Sequence, residues 1–326
     1  MVRLSLALLL AAAPLAAQQH ADTLPPAAAV ESPFVAKAAG FTLYGTLTLP
    51  RNAAGPVPVA LIIAGSGPTD RNANSPVGIR SNTYAQLAWR LAEHGIATLR
   101  YDKRGIAQSR AGFDTVMLAH ATMQLYADDV HALADSLHAD RRFSKVILVG
   151  HSEGSALALI AANDKAPVAG VVSMAGMGRP FAAVLREQLA AQLDSGAMQM
   201  FDTSMTAYLA GRNPPVPAYL QSLFVPLNRS YMKSMMDFDA TQVSRVPCPV
   251  LIVQGDMDLQ VAVADAQALK GARPAAQLMV LPGDNHMFKV VPSRDRTAQM
   301  PAYLDPTLPI DPALVNALTT WIGGLK

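Results

Sequence analysis

Residues 146–159 read "VILVGHSEGSALAL". An apolar run leads into Gly150; Gly-His-Ser-Glu-Gly follows, then a run rich in alanine and leucine. A short continuous apolar run closed by glycine predicts a strand buried on both faces. The alanine- and leucine-rich continuation predicts a helix. The change of pattern falls on Ser152, between Gly150 and Gly154, and fits G-x-S-x-G. A serine on a sharp strand-to-helix turn presents its hydroxyl at the top of a sheet, where it can act as a nucleophile. The glycines serve that turn because strand and helix approach too closely for a Cβ. The motif alone is weak, since a serine also caps ordinary helices. Its flanks, "KVILV" before and "SALALIAA" after, favour the nucleophile.

Outward from this point the same alternation recurs. "FTLYGTLTLP" (41–50) alternates as a strand or hairpin arm, and "VPVALIIAG" (57–65) reads as a buried strand. A helix is predicted over 83–94, closed by Gly95, then a strand at 96–102 and a helix over 120–138. After the motif come a strand at 168–176, then "PVLIVQG" (249–255), "AQLMVLPG" (276–283) and a C-terminal helix near 311–323. Buried strands alternating with helices predict an α/β fold, a mostly parallel central sheet with helices on both faces. Residues 177–246 interrupt the alternation with helical patterns only, which predicts a helical insertion. The core is thus expected in two parts, 41–176 and 247–326.

The N-terminus reads "MVRLSLALLLAAAPLAAQQ": Arg3, an apolar run to Leu15, then the small residues Ala16 and Ala17. This is the pattern of a signal peptide over 1–17, and the run is shorter than the roughly 20 residues of a spanning helix. A secreted or periplasmic location is therefore expected, with no stable membrane span after cleavage. Residues 18–40, rich in alanine and proline, are expected to be a flexible lead-in. The 326 residues are 51% hydrophobic and only 15% charged, enough for a large core. The formal charge of +2 is too small and dispersed to suggest a nucleic-acid partner. Cys248 is the sole cysteine, so no internal disulfide forms, and it reads as a small buried hydrophobe. No zinc-ligand spacing or P-loop occurs, and neither metal nor cofactor is expected.

A serine hydroxyl needs a base. His286 stands in "LPGDNHMF" directly after the last predicted strand, at the sheet edge where the Ser152 turn lies. The other histidines fall in the lead-in or on helices, except His151, which adjoins the serine but should point away from it. A carboxylate must orient the base. Asp256 and Asp258 both follow the strand ending at Gly255, and the residue pattern does not choose between them. The oxyanion needs backbone donors. Glu153 N–H, directly after the serine, supplies one. The other is expected from Ser66 in "AGSGPTDRN" (64–72), where Gly65 and Gly67 permit close approach. A phosphate cradle is excluded there because neither G-x-G-x-x-G nor a Walker lysine follows. Asp70, Arg71 and Asn72 are read as locking this loop, with shaping of the pocket floor as the alternative.

Four segments, "IIAGSGPTDRN", "LRYDKRGIAQS", "VGHSEGS" and "QGDMDLQV…PGDNH", together resemble the α/β-hydrolases, and among them the secreted or periplasmic bacterial serine carboxylesterases. The resemblance spans most of the chain from residue 41. It implies Ser152 as nucleophile, His286 as base and Asp258 as acid, with Asp256 as a turn residue. It also implies a structural role for "DKRGIAQS", where Ala107 replaces the family's second glycine. The insertion resembles a hydrolase cap; most of its seven methionines are expected to pack between helices, and some to face the serine as an adaptable apolar wall. The function implied is hydrolysis of small-molecule esters with short to medium apolar acyl groups. A peptidase or amidase, a thioesterase, and a non-catalytic binding protein on the same fold are the alternatives.

Overall fold

A computed structural model describes residues 23–326. The expected signal peptide (1–17) and the first residues of the lead-in lie outside the described residues. Eight strands form one sheet: β1 (Ala29–Ala38), β2 (Phe41–Pro50), β3 (Val57–Ile63), β4 (Ala97–Tyr101), β5 (Phe143–His151), β6 (Gly170–Met174), β7 (Val250–Gly255) and β8 (Gln277–Leu281). Their order is β1-β2-β4-β3-β5-β6-β7-β8. The first two strands pair antiparallel, β2 pairs antiparallel with β4, and every other neighbouring pair is parallel.

Both faces of the sheet are covered, which is why its inner strands read as unbroken apolar runs. Along β5, Val146 and Leu148 face one core with Leu133, Leu137 and Leu157. Ile147 and Val149 face the other with Leu87, Leu91, Leu314 and Leu318. Helices α1 (Thr83–Glu93) and α10 (Pro312–Gly324) cover the second face. Helices α3 (Met123–His138), α4 (Glu153–Asn163) and α8 (Val263–Ala272) cover the first, and a short α2 (Thr115–His120) precedes α3. Thr122, capping Leu125 N–H, begins α3, so the helix expected over 120–138 breaks at its first residues. Helix α4 is buried on nearly every side, and its apolar residues accordingly show no stripe.

The lead-in expectation is corrected for residues 29–38. They form β1, joined to β2 by a two-residue turn in which Ala39 (φ 46°) and Gly40 (φ 80°) are both left-handed. Alanine and proline hid the strand, since an edge strand tolerates Pro33 and needs only one buried face. Glu31 holds it in place. Its Oε1 accepts from Thr48, Trp89 Nε1 and Arg100 Nη2.

Residues 177–246 are helical: α5 (Phe181–Ala190), α6 (Ser195–Leu209), α7 (Arg229–Met236) and short 3-10 turns. They hold a core of their own, including Met198, Phe201, Met205, Tyr208 and Phe224. Met198 and Met205 are thus among the methionines that pack inside the insertion, as expected for most of them. Helix α9 (Arg296–Leu304) completes the helical elements; none among the described residues is long and apolar enough to cross a membrane.

Candidate active site

Strand β5 ends at His151 and α4 begins at Glu153, so Ser152 alone makes the turn. Its φ of 56° and ψ of −121° lie outside the ordinary regions for a residue with a Cβ, at a cost of roughly 1–3 kcal/mol. Surrounding contacts impose that conformation. Ser152 N–H donates to Met174 O at 2.8 Å, and Ser155 N–H donates to Ser152 O at 3.0 Å. A Cβ on Gly150 would lie 2.2 Å from Gly154 O, and one on Gly154 would lie 2.2 Å from Ile63 O. Both obstacles are backbone, so only glycine permits this crossing of β3, β5 and α4.

The loops after β7 and β8 meet at the same sheet edge. Asp258 and His286 are buried, and His286 Nδ1 bonds Asp258 Oδ2 at 2.8 Å. The remaining acceptors of Asp258 are filled: Gln260 N–H (2.7 Å) and Val261 N–H (3.0 Å) donate to Oδ1, and Gln254 Nε2 (3.0 Å) donates to Oδ2. Burial favours the neutral acid, but His286 and the two backbone donors outweigh it and hold the carboxyl below its ordinary range. Asp256 points elsewhere. Its Oδ1 accepts Gly283 N–H at 2.7 Å and fixes the start of the His286 loop. The structure thus brings Asp258 to His286 and leaves Asp256 in the turn. Ser152 Oγ makes no hydrogen bond among the described residues.

His151 does turn away from the serine, into a buried chain of hydrogen bonds. Its Nε2 bonds the His286 carbonyl at 2.8 Å and its Nδ1 bonds Tyr84 Oη at 2.7 Å. A carbonyl only accepts, so Nε2 carries the proton, Nδ1 accepts from the Tyr84 hydroxyl, and Tyr84 in turn accepts Gly65 N–H at 3.2 Å. Burial first, and neighbouring His286 second, push the His151 pKa down to about 3, so this ring stays neutral. Three segments are tied together: the loop that opens at Gly65, the elbow and the His286 loop.

In the loop over 64–72, where an oxyanion donor was expected, Gly65 lies against Ser152: a Cβ there would be 3.2 Å from Ser152 Cβ. Ser66 is exposed and its N–H has no protein acceptor among the described residues. Glu153 N–H belongs to the first turn of α4, where amides lack intrahelical partners. Gly67 is left-handed at φ 76°. Asp70 Oδ1 accepts Asn72 and Asn74 N–H, and Arg71 Nη2 pairs with Asp102 Oδ2 at 2.5 Å. These contacts are internal to the loop and its support.

The segment "DKRG" departs from the purely structural role the resemblance implied. Asp102 and Arg104 do support the framework, Arg104 through two 2.6 Å bonds to Asp129 on α3. Lys103 instead reaches into the site. Its Nζ donates to Gly65 O at 2.7 Å and to Glu153 Oε1 at 2.8 Å, with both side chains buried. The Glu153 side chain is therefore one half of a buried ion pair rather than a bystander. Tyr126 packs its ring 5.8 Å from Lys103 Nζ. Tyr231 of α7 is also near. Burial, then the Glu153 charge, holds its phenol well above the ordinary range. Lys103 had one sequence signal: a charged Asp-Lys-Arg triplet directly after an apolar strand at the active edge. Tyr84 had none, since it falls on the apolar stripe of α1.

A serine at a strained strand–helix elbow, with a buried Asp–His pair at the same edge of a mostly parallel sheet, defines the α/β-hydrolase fold. Residues 77–289 match the family described as "Serine aminopeptidase, S33", and the chain belongs to it. The esterase EstD of Thermotoga maritima is 27% identical over 251 residues, 76% of this chain and 58% of EstD, so the chain spans little over half that relative's length. The 2-(acetamidomethylene)succinate hydrolase of Mesorhizobium japonicum is 27% identical over 238 residues, 66% of this chain and 81% of that enzyme. The structure of Est1E from Butyrivibrio proteoclasticus with bound ferulic acid shares the fold. Its TM-score is 0.61 at 19% identity, covering 90% of this chain and 98% of that one. The chain thus carries this fold over most of its length.

Proposed function

We propose that the protein hydrolyses carboxylic esters of small molecules through an acyl-enzyme on Ser152. The observation that carries this is the buried Asp258–His286 bond at the sheet edge that bears the Ser152 elbow. Asp258 takes the Nδ1 proton side of His286, which leaves Nε2 as the basic nitrogen. Ser152 Oγ attacks the ester carbonyl as its proton passes to His286 Nε2; that contact closes as the substrate seats. The carbonyl oxygen becomes an oxyanion held by Ser66 and Glu153 N–H. Collapse breaks the ester C–O bond, and His286 returns its proton to the departing alkoxide. Water, deprotonated by His286, then attacks the acyl group and releases the acid and free Ser152.

Ester hydrolysis is favoured over aminopeptidase action by the charges around the serine. A free substrate amine would need an uncommitted carboxylate, and Glu153, the buried one beside the elbow, is paired with Lys103. The substrates proposed carry short to medium apolar acyl groups, and residues 1–17 are proposed to direct export. Hydrolysis of p-nitrophenyl esters of increasing acyl length, beside aminoacyl substrates, tests this. Turnover highest on short acyl esters and abolished in Ser152→Ala is expected. No ester turnover by the wild type, or retained turnover in Ser152→Ala, would refute it. The N-terminal sequence of the protein recovered from its native host tests export.

A further inference from the structure

We propose that Lys103 is a positioning residue that sets the oxyanion hole, fixing both donors from behind through one ammonium group. This rests on the serine hydrolase reading above.

The first donor is positioned through its own peptide. Gly65 C=O and Ser66 N–H belong to one peptide unit, and no cis bond occurs among the described residues. In a trans peptide these two groups point in opposite directions. Lys103 Nζ holds Gly65 O at 2.7 Å, so Ser66 N–H is directed away from Lys103. On the other side of Gly65, its N–H is held by Tyr84 Oη at 3.2 Å. The residue is thus anchored at both backbone groups, where a Cβ would come within 3.2 Å of Ser152 Cβ. A flip of this peptide would withdraw the donor and turn a carbonyl dipole toward the forming negative charge. The flip would also strip a buried ammonium of one of its two acceptors, a penalty that keeps the donor orientation populated. Cation-to-carbonyl bonding further polarises the peptide and strengthens its N–H as a donor.

The second donor is Glu153 N–H. Its side chain is the counter-ion of the same ammonium, at 2.8 Å. Glu153 therefore serves twice: its backbone faces the oxyanion and its carboxylate holds Lys103 in place. Tyr126 and Tyr231 lie next to the pair, and the Lys103 and Glu153 side chains are almost fully buried. A surface ion pair contributes little, whereas separating the members of a buried one is strongly unfavourable, which keeps Lys103 on Glu153.

Lys103→Met alone would leave the Glu153 carboxylate buried without its cation, and such a variant can fail to fold. The decisive protein is the double variant Lys103→Met/Glu153→Gln, which removes both charges and keeps the Glu153 backbone N–H. Turnover of p-nitrophenyl acetate is measured together with calorimetric binding of an alkyl trifluoromethyl ketone, which forms a tetrahedral adduct on serine. The folded double variant is expected to lose on the order of 10²-fold in kcat, the effect of one oxyanion donor, with KM changed less than about threefold. Ketone affinity should fall in proportion to kcat/KM, a correlation that mere loosening of the fold would not produce. Unchanged ketone affinity, or activity within about threefold of wild type, overturns the proposal. A wild type that binds the ketone through Ser152 without cleaving esters refutes the ester assignment but leaves Lys103 tested by affinity. A wild type that forms no adduct refutes both.

Discussion

Asp258→Asn separates the two candidate acids and depends on which way the new amide turns. Asp258 Oδ1 accepts two backbone N–H groups, from Gln260 and Val261, which cannot reorganise without moving the loop. An asparagine must therefore keep its carbonyl oxygen there. Its NH2 then faces His286 Nδ1, where Oδ2 sits 2.8 Å away in the wild type. Two donors cannot face each other, so His286 moves its proton to Nε2. That nitrogen then has no lone pair for the Ser152 proton. Loss of the correct tautomer costs about 10⁴ in kcat, equivalent to about 5 kcal/mol of barrier. The assay is steady-state hydrolysis of p-nitrophenyl acetate, with circular dichroism to establish folding. KM should move less than about threefold because substrate contacts are untouched. Stability offers a second readout. The wild-type carboxyl is held below its ordinary range, so its contribution is complete above that range and disappears as pH falls through the folded pKa. The stability gap between wild type and variant should therefore narrow on acidification. A folded Asp258→Asn with kcat within about tenfold of wild type would refute the assignment, as would a 10⁴-fold loss in Asp256→Asn instead.

Asp284→Asn should stabilise the protein increasingly toward pH 8. Burial, then Asp311, push the Asp284 carboxyl up to about 8. Folding thus takes up a proton between the ordinary carboxylate range and that value, and wild-type stability declines as pH rises across the window. The upper limit of the gain is about 5 kcal/mol, read from urea midpoints between pH 5 and 8.5; a pH-independent difference would contradict it. Ala107 sits at φ 41°, a left-handed position, so Ala107→Gly should raise stability by roughly 0.5–1 kcal/mol, measured in the same way. Gly154→Ala should abolish or displace the elbow. The new Cβ meets Ile63 O at 2.2 Å and Ala64 O at 2.9 Å, and fluorophosphonate labelling of Ser152 should slow by about 10²-fold or more. Tyr84→Phe would leave Gly65 N–H and His151 Nδ1 without their shared partner, a loss of about 1–3 kcal/mol by urea unfolding.

The sequence by itself determined the layered architecture and the serine elbow at its centre. Unbroken apolar runs such as 146–149 can only be buried on both faces, and Val146 and Ile147 indeed enter opposite cores. The elbow was legible because Gly150 and Gly154 answer a local steric demand that the chain records residue by residue. Where two structures satisfy the same local pattern, the sequence was silent. Residues 29–38 carry weak strand chemistry, and only pairing with β2 and the long-range bonds of Glu31 make them a strand. Asp256 and Asp258 are equivalent along the chain; only the approach of the β8 loop puts His286 beside one and Gly283 beside the other. Lys103 and Glu153 lie 50 residues apart, and their pairing depends on β4 and β5, which flank β3 in the sheet, delivering both to one edge. Local periodicity records which residues are buried, but the partner of a buried charge is a property of topology, and only the folded chain supplies it.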